Sequence, residues 1–286
     1  MYRLDRCPQG RWELAQMDPP NDLAGDVVRY AGYVEYGGWA IDNREVASPI
    51  VPLIINFGDP FRIRMGANGS LDHRSFVAGL YDGYADVAST GRAHCMQVDF
   101  TPLGAHRFFA MPMRDLAAQT VPLDQIGAFD DLAGRLYDTP DWATRFALVD
   151  RFVQRRLAAA RAPSSPIAWA WRQLAASGGR VRVGALAGEI GWSRKHLAQR
   201  FAIEVGAGPK TVGRILRFAG ARRSIAGAVR AGCLDWADLA ADWGYADQAH
   251  LIREFHAMAG VTPADYVRDV AGQFRALATE ADTQAG

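Results

Sequence analysis

Three histidines and one cysteine are the side chains of the amino-terminal half best suited to bind a metal ion. They are His73, His94, Cys95 and His106, and Asp or Glu residues could complete a ligand set. A metal-dependent enzyme needs its ligands on one surface, yet no His-x-His pair occurs and the histidines fall on different predicted segments. His94 and Cys95 are neighbours, so a strand would direct them to opposite faces. The spacing therefore predicts that the protein binds no metal ion and no cofactor. We expect Cys95 to be a small core residue, and the alternative is a reactive thiol.

Sequence motifs for other enzyme chemistry are missing. No nucleophile elbow, phosphate-binding loop or paired-carboxylate motif stands out. Gly191-Trp-Ser193 resembles part of a hydrolase motif, but the residues that follow it belong to a repeated unit. Four tryptophans fit core and interhelix packing better than a stacking platform for single strands: Trp169, Trp171, Trp236 and Trp243. We therefore predict that the protein is not an enzyme.

Length and composition set the broad class of the protein. The 286 residues are 49% hydrophobic and 22% charged, which excludes a disordered or fibrous chain and allows two domains. No run of 18 apolar residues indicates a transmembrane helix, and the first residues lack the apolar run of a signal peptide. Cys7, Cys95 and Cys233 are far apart, as expected in a reducing compartment. The expected location is the cytoplasm, without a membrane partner.

The net charge of +1 hides three blocks of different charge. Residues 1–165 carry a net charge of −3 and residues 166–230 a net charge of +10, whereas residues 231–286 carry −6. A block as basic as the middle one indicates a surface for polyanions, although a solvated arginine-rich face is the plainer explanation.

The first 160 residues begin with short strand-like segments and end in a helix. The predicted strands are Val27–Tyr36, Ile50–Phe57, Phe61–Met65, Phe76–Tyr81 and Met96–Phe100, with Asp59-Pro60 as a hairpin connection. This spacing is typical of a sandwich or barrel. Thr139-Pro140 predicts a helix start, with the threonine hydroxyl as cap. A helical stripe follows, which packs either on its own domain or on a second subunit: Trp142, Phe146, Val149, Phe152, Val153 and Leu157.

The last third of the chain contains a repeated unit. Ala187, Gly191, Ser193, Leu197 and Phe201 recur as Ala240, Gly244, Asp247, Leu251 and Phe255, at an offset of 53 before the turn and 54 after it. The glycines suit a left-handed helix end, Ser193 and Asp247 suit the cap of the next helix, and the Leu and Phe residues lie on its buried face. Gly206 with Pro209, and Gly260 with Pro263, then end each unit. The pattern predicts two helix-turn-helix units joined by a basic helix over residues 211–230.

These residues resemble the AraC/XylS family of bacterial transcription regulators. The match is strongest over residues 239–255, followed by Gly260-Val-Thr-Pro263 and Tyr266-Val-Arg268. It extends over about residues 175–270 and includes Ser193–Phe201 in the first unit. The resemblance implies double-stranded promoter DNA as the partner.

The family's recognition helices, mapped onto this sequence, imply specific DNA contacts. Side chains implied to face bases are Lys195, Ala198, Gln199, Gln248, Ala249 and Arg253, which suit guanine, adenine or a thymine methyl group. Residues assigned to the phosphate side are Ser193, Arg194, Lys210, Arg217 and Asp247, with local ion pairs or helix caps as the alternative. Ala198 and Ala249 are short and the second unit is acidic, so we expect residues 180–225 to supply most of the binding energy. The alternative for Gln248 and Arg253 is a solvated polar face.

The predicted fold class is α+β with two domains. Residues 1–162 form a sensory or dimerisation domain that resembles cupin-like β domains, and residues 163–170 form a linker. Residues 171–272 form the DNA-binding domain, with helix-turn-helix units at 183–205 and 235–259, and residues 273–286 form a disordered tail.

The predicted function is sequence-specific transcription regulation, controlled by a small effector in the amino-terminal domain. An activator would also contact RNA polymerase, and the amino-terminal domain could form a homodimer. One alternative is a ligand-independent regulator whose amino-terminal domain only dimerises. The other is a metal-dependent cupin-type enzyme.

Overall fold

A computed structural model describes residues 1–6, 11–38, 40–66, 69–127, 129–231 and 233–268 of the chain. The tail predicted at residues 273–286 and the predicted domain end at residue 272 lie outside these residues. The strands of the described part are β1 (Arg3–Arg6), β2 (Trp12–Met17), β3 (Val27–Glu35), β4 (Ile41–Glu45), β5 (Val51–Asn56), β6 (Phe61–Met65), β7 (Leu71–His73), β8 (Phe76–Ala78), β9 (Ala85–Ser89), β10 (His94–Phe100) and β11 (Thr120–Pro122).

Two antiparallel sheets form the amino-terminal domain. The larger sheet has the order β1-β2-β3-β10-β5-β8-β11, and the smaller one has the order β4-β9-β6-β7. Strand β10 lies at the centre of the larger sheet, where Met96 pairs with Gly32 on one side and with Ile55 on the other. Side chains of both sheets line one cavity between them, including Tyr33 and Val87. The predicted α+β class, with a β-rich amino-terminal domain, is therefore confirmed.

The hairpin predicted at Asp59-Pro60 is wrong. Strand β5 pairs with β10 and β8 in the larger sheet, whereas β6 pairs with β7 and β9 in the smaller one. The connection therefore crosses between sheets. Asn56 Nδ2 donates a hydrogen bond to the Asp59 carbonyl at 2.7 Å, and Thr90 Oγ1 donates to the Asp59 carboxylate at 2.7 Å. Side-chain hydrogen bonds thus stabilise this turn, and backbone pairing between β5 and β6 does not.

Predicted strands match the observed ones closely, with one shortened. Strand β6 has the predicted bounds, but the strand predicted over Phe76–Tyr81 ends at Ala78. At Gly79 a Cβ atom would lie 1.8 Å from the Leu116 carbonyl oxygen, so the chain leaves the sheet where another segment touches its backbone.

The helices follow in the order expected for the predicted architecture. They are α1 (Pro102–Phe109), α2 (Asp130–Tyr137), α3 (Trp142–Ala158), α4 (Ser165–Ala176), α5 (Val183–Ile190), α6 (Arg194–Val205), α7 (Pro209–Ala231), α8 (Trp236–Asp242) and α9 (Gln248–Ala259). Residues 263–268 are also helical. Within the described ranges, no helix is both long and apolar enough to cross a membrane.

Helix α3 packs on its own domain. Five of the six residues in its predicted stripe are buried, namely Trp142, Phe146, Val149, Val153 and Leu157. Trp142 lies directly against Gly32 of β3, where a Cβ atom would come within 2.2 Å of the indole ring. The helix is capped by Asp141, which accepts from Thr144 N at 2.9 Å, and not by Thr139 as predicted. The Thr139 hydroxyl instead donates to the Arg135 carbonyl at the end of α2.

The linker predicted at residues 163–170 is helical from Ser165 onward. Pro166 lies in the first turn of α4, where its missing N–H costs nothing, and Ile167 and Ala170 are fully buried. Residues of α4 therefore pack with the core, and the non-helical connection after α3 is short.

Two hydrophobic cores divide the helical part of the chain. The first is continuous from the amino-terminal domain into α4, α5 and α6, and it includes Phe108, Met113, Leu197 and Phe201. The second surrounds the carboxyl-terminal half of α7 with α8 and α9, and it also takes in Ala47 from the amino-terminal domain.

Candidate nucleic-acid interface

The first helix pair is built by the turn at Gly191. Gly191 has φ of +77° and ends α5, and Trp192 N then donates to the Ala187 carbonyl at 2.9 Å. Ser193 starts α6 by accepting a hydrogen bond from His196 N at 3.1 Å. Leu197 on α6 is fully buried. The predicted roles of these residues in the turn are confirmed.

The second pair repeats this geometry. Gly244 has φ of +69°, and Tyr245 N donates to the Ala240 carbonyl at 2.9 Å. Asp247 accepts from His250 N at 2.6 Å and so caps α9. Leu251 is fully buried, like its counterpart Leu197. The predicted helix-turn-helix repeat is therefore confirmed at the level of single hydrogen bonds.

Trp243 joins the second pair to α7. Its indole Nε1 donates to Ser224 Oγ at 3.0 Å, and its ring lies so close to Gly220 that a Cβ atom there would be 2.0 Å away. Trp243 and Trp236 both pack against the second core, and Trp169 and Trp171 pack against the first. The tryptophans serve packing, as predicted.

The side chains predicted to face bases lie on two helix faces. Lys195 and Gln199 are exposed on α6, and Ala198 beside them is half-buried. On α9 the exposed members are Gln248, Ala249 and Arg253. Their side chains are thus free to contact a ligand on each helix.

The residues predicted on the phosphate side fall into two groups. Arg194 and Lys210 are exposed at the amino-terminal ends of α6 and α7. Ser193 is exposed, with its hydroxyl engaged as a cap.

Arg217 and Asp247 have internal roles instead. Arg217 is half-buried, donates to the Gly179 carbonyl at 3.1 Å and lies over the Tyr245 ring, so it holds the two units together. The Asp247 carboxylate caps α9 and would repel a phosphate.

Ile252 is an exposed residue of α9 that the sequence prediction missed. Its counterpart in the first unit is Ala198, because the offset after the turn is 54 residues. The repeat could therefore have identified Ile252, because Ala198 is assigned to the bases and Ile252 occupies the equivalent position in the second unit. Ile252 is 37% exposed and lies one turn after the exposed residues Gln248 and Ala249 on the same face of the helix.

The first unit is fixed to the amino-terminal domain through the far end of α6. Glu204 is buried and accepts hydrogen bonds from Ser164 N at 2.9 Å, from Ser164 Oγ at 2.6 Å and from Arg200 Nη2 at 3.1 Å. The same end of α6 packs on α1 and on the turn at Met113–Asp115. This attachment leaves the amino-terminal half of α6 exposed.

The second unit contacts the amino-terminal domain through polar groups. Ala47 N donates to the Met258 carbonyl at 3.1 Å, and Arg44 Nη1 donates to the Gly260 carbonyl at 3.4 Å. Arg214 on α7 bonds Asp82 of the amino-terminal domain and Glu254 of α9, both at 2.8 Å. The two units are thus attached by different means, one by apolar packing and one largely by hydrogen bonds.

A cavity of about 650 Å³ lies between the two sheets, next to the second unit. Most of its lining is apolar, but Arg29, Glu45 and Arg222 also line it, and Arg222 comes from α7. Burial raises the pKa of Glu45, and the neighbouring Arg222 opposes this shift. Arg29 is already paired with Asp99 at 2.6 Å.

The side chains considered as ligands of a metal-dependent alternative make contacts within the amino-terminal domain. His73 Nε2 and Thr120 Oγ1 share a hydrogen bond of 2.9 Å, and His106 Nδ1 donates to the Met111 carbonyl at 2.9 Å. The His94 ring contacts the Phe57 ring in a tilted arrangement, and burial followed by the charge of Arg145 lowers the pKa of His94 to about 4. Cys95 lines the cavity on the opposite face, and burial raises its pKa to about 12. In the described ranges, no three His, Cys, Asp or Glu side chains are grouped to hold a metal.

Comparison with protein families agrees with the geometry of the repeat. Residues 186–269, which include both recognition helices, match the model of a family described as a helix-turn-helix domain. The carboxyl-terminal domain is thus a helix-turn-helix domain similar to those of the AraC type. Residues 15–122 match a family described as a domain of unknown function, DUF6597. A comparison with curated proteins gave no match.

Several solved structures are similar to the chain at low identity. ToxT from Vibrio cholerae is 9% identical, with 90% of this chain and 97% of that chain covered and a TM-score of 0.45. The AraC-like transcriptional activator CuxR is 14% identical over 81% of this chain and 88% of that chain, with a TM-score of 0.33. The carboxyl-terminal domain of AraT, a response regulator from Geobacillus stearothermophilus, is 20% identical over 37% of this chain and 87% of that chain, with a TM-score of 0.33.

Proposed function

We propose that the protein is a sequence-specific, DNA-binding transcription regulator. The observation that carries this proposal is the pair of helix-turn-helix units in which a side-chain oxygen caps the second helix at the equivalent position, each with an exposed polar face at the start of that helix. In such units this part of the second helix enters the major groove and contacts base edges.

The exposed residues fit base recognition. Lys195 and Arg253 can donate to guanine, Gln199 and Gln248 can pair with adenine, and Ala198 or Ala249 can contact a thymine methyl group. Helix α7 has 23 residues and so measures about 34 Å, which is about one turn of DNA. A spacer of this length supports recognition of two consecutive major grooves by α6 and α9.

Charge favours the first unit as the main source of affinity. The net charge of +10 lies in residues 166–230, and Arg194 and Lys210 are exposed near α6. Phosphate contacts by these cations would release counterions, so binding would weaken as salt concentration rises.

Salt-dependent binding tests the role of this surface. Fluorescence anisotropy with labelled duplex DNA should show a steep fall in affinity with salt for the wild type. Lys210→Ala should reduce the slope of log K against log salt by about one unit. Arg62→Ala, which removes an exposed arginine of the amino-terminal domain, is the matched control and should leave the slope unchanged. A wild type that binds no DNA at low salt would contradict the proposal.

The cavity between the sheets is the best candidate for an effector site. Its volume lies in the range of small-molecule pockets, and its largely apolar lining suits an apolar ligand body. Arg29 is paired with Asp99, whereas Arg222 has no direct ion pair in the described part of the chain. We propose a ligand with an acidic group that pairs with Arg222.

Such a ligand would touch both domains at once. Residues 45–48 line the cavity, and within this segment Ala47 bonds Met258 of the second unit. Arg222 lies on the helix that joins the two units. A ligand in the cavity would thereby influence the position of the second unit. Whether this activates or represses transcription would depend on where the binding site lies relative to the promoter.

A thermal-shift screen distinguishes an effector from the ligand-independent alternative. A bound acid should raise the melting temperature of the wild type, and Arg222→Met should abolish most of the shift. If no compound in a set of apolar acids, amines and neutral molecules shifts the melting temperature, the amino-terminal domain serves assembly alone. We also propose that this domain forms a homodimer. As an activator, the protein would in addition contact RNA polymerase.

A further inference from the structure

We propose that Ile252 reads the 5-methyl group of a thymine in the half of the site contacted by α9. This inference rests on the proposed DNA-binding function and adds a specificity-determining residue to it. Ile252 is 37% exposed, in a helix whose other large aliphatic residues, Leu251 and Met258, are fully buried.

The surroundings of Ile252 identify its partner. Gln248 and Ala249 lie one turn before it and His256 one turn after it on the same face, and Arg253 is the next exposed side chain around the helix. A face that combines a cation with one exposed aliphatic side chain suits a major groove, where phosphates and base edges are polar and the thymine methyl group is the apolar feature. A protein partner with an apolar patch would instead need several exposed aliphatic residues together.

The neighbouring elements leave this face open. Glu254 turns toward Arg214, with an N–O distance of 2.8 Å, and Gly260 contacts Arg44. The attachment to the amino-terminal domain therefore uses other positions of α9 and the residue that ends it. Ala249, one turn before Ile252, is too small to shield it.

The two units differ at the position that Ile252 occupies in α9. Ala198 occupies the equivalent position of α6 and is half-buried. A methyl side chain at that position cannot reach as far as the sec-butyl group of Ile252. The second unit, which lacks the basic charge of the first, would thus gain specificity from an apolar contact.

Substitution of deoxyuridine for thymidine tests the contact directly, because it removes only the methyl group. The binding site is first selected from random duplexes with the full-length wild type. Each thymidine in the part of the site protected by α9 is then replaced singly. One replacement should weaken binding of the wild type about threefold to tenfold, as expected for burial of one methyl group.

Ile252→Ala should bind the unmodified site about threefold to tenfold more weakly and should no longer respond to that replacement. Ile252→Val should keep part of the response. Leu71→Ala, which shortens a side chain 60% exposed on β7, is the matched control and should respond like the wild type. Melting curves would show that each variant is folded.

Two results would overturn the inference in distinguishable ways. Sequence-specific binding in which every replacement affects the wild type and Ile252→Ala equally would refute the thymine contact alone. Selection that yields no specific site for the wild type would refute the proposed function, and this inference with it.

Discussion

Arg214 of α7 and Asp82 of the amino-terminal domain form an ion pair with an N–O distance of 2.8 Å. The same guanidinium bonds Glu254 of α9, so one side chain connects the sheet domain, the joining helix and the second recognition helix. Among the residues that the structure describes, the apolar core of the second unit reaches the amino-terminal domain only at Val46 and Ala47. The second unit is therefore attached to the amino-terminal domain more weakly than the first.

Asp82→Asn should loosen this attachment while the fold persists. Because a partly exposed ion pair contributes up to about 1 kcal/mol, amide exchange at Ala47, which bonds Met258, should speed up roughly twofold to fivefold. Hydrogen exchange with mass spectrometry checks this. Asp72→Asn breaks the Arg62–Asp72 pair of the same domain and should leave Ala47 unchanged. Equal exchange in both variants and the wild type would show that Asp82 does not hold the interface.

Gly220→Ala should destabilise the second unit. A Cβ atom would lie 2.0 Å from the Trp243 ring, and such overpacking costs about 1 to 3 kcal/mol. Gly227→Ala is the matched control in the same helix, since no described atom beyond its own stretch of helix lies within 4 Å of its added Cβ. That variant should be stabilised by up to about 1 kcal/mol through helix propensity. Urea unfolding measures both; a tolerated Gly220→Ala would refute the packing argument.

Asp247 should act as a helix cap and not as a phosphate contact. Asp247→Ala should cost about 1 kcal/mol of stability, whereas Asp247→Ser keeps a capping oxygen and should cost much less. Because the serine variant also removes a negative charge near DNA, its affinity at low salt should equal or exceed that of the wild type. Unfolding and anisotropy measurements on the two variants check this, and weaker DNA binding by the serine variant would restore a direct role in DNA contact.

The sequence predicted short-range features well because neighbouring residues determine them. The glycine turns, the caps Ser193 and Asp247 and the joining helix all depend on residues within a few positions. Thr139 shows the limit of such reasoning, since its hydroxyl caps the end of one helix and Asp141 starts the next.

Contacts between residues that are distant in the sequence could not be predicted from the sequence. Nothing local indicates that β5 and β6 join different sheets, or that Arg217 donates a hydrogen bond to the Gly179 carbonyl. The cavity combines residues from both sheets with Arg222 of the distant joining helix, and only the folded chain brings these together. Ile252, by contrast, could have been found by applying the repeat offset to Ala198.

His94 should make stability fall in mild acid. Its folded pKa of about 4 lies below the ordinary value of 6.5, because burial disfavours the charged ring and the positive charge of Arg145 opposes its protonation. The unfolded chain therefore binds a proton that the folded chain does not, between pH 6.5 and about 4. Stability is complete above this window and decreases through it, by less than about 1.4 kcal/mol per pH unit.

Urea unfolding at pH 7.5, 6.0 and 5.0 measures this effect. His94→Phe keeps an aromatic ring against Phe57 and should lose less stability than the wild type between the first and last pH. His73→Phe provides a comparison at the other buried histidine, whose pKa burial lowers as well. Identical pH dependence in the wild type and His94→Phe would contradict the assignment.

The central claim is that α6 and α9 read two consecutive major grooves, and a footprint of the full-length protein on its selected site tests it most directly. The account predicts two protected major-groove segments about one helical turn apart. Lys195→Ala should remove protection from one segment and Arg253→Ala from the other, with the larger loss of affinity for Lys195→Ala. Protection of a single groove, diffuse protection independent of sequence, or equal or reversed losses for the two variants would contradict it.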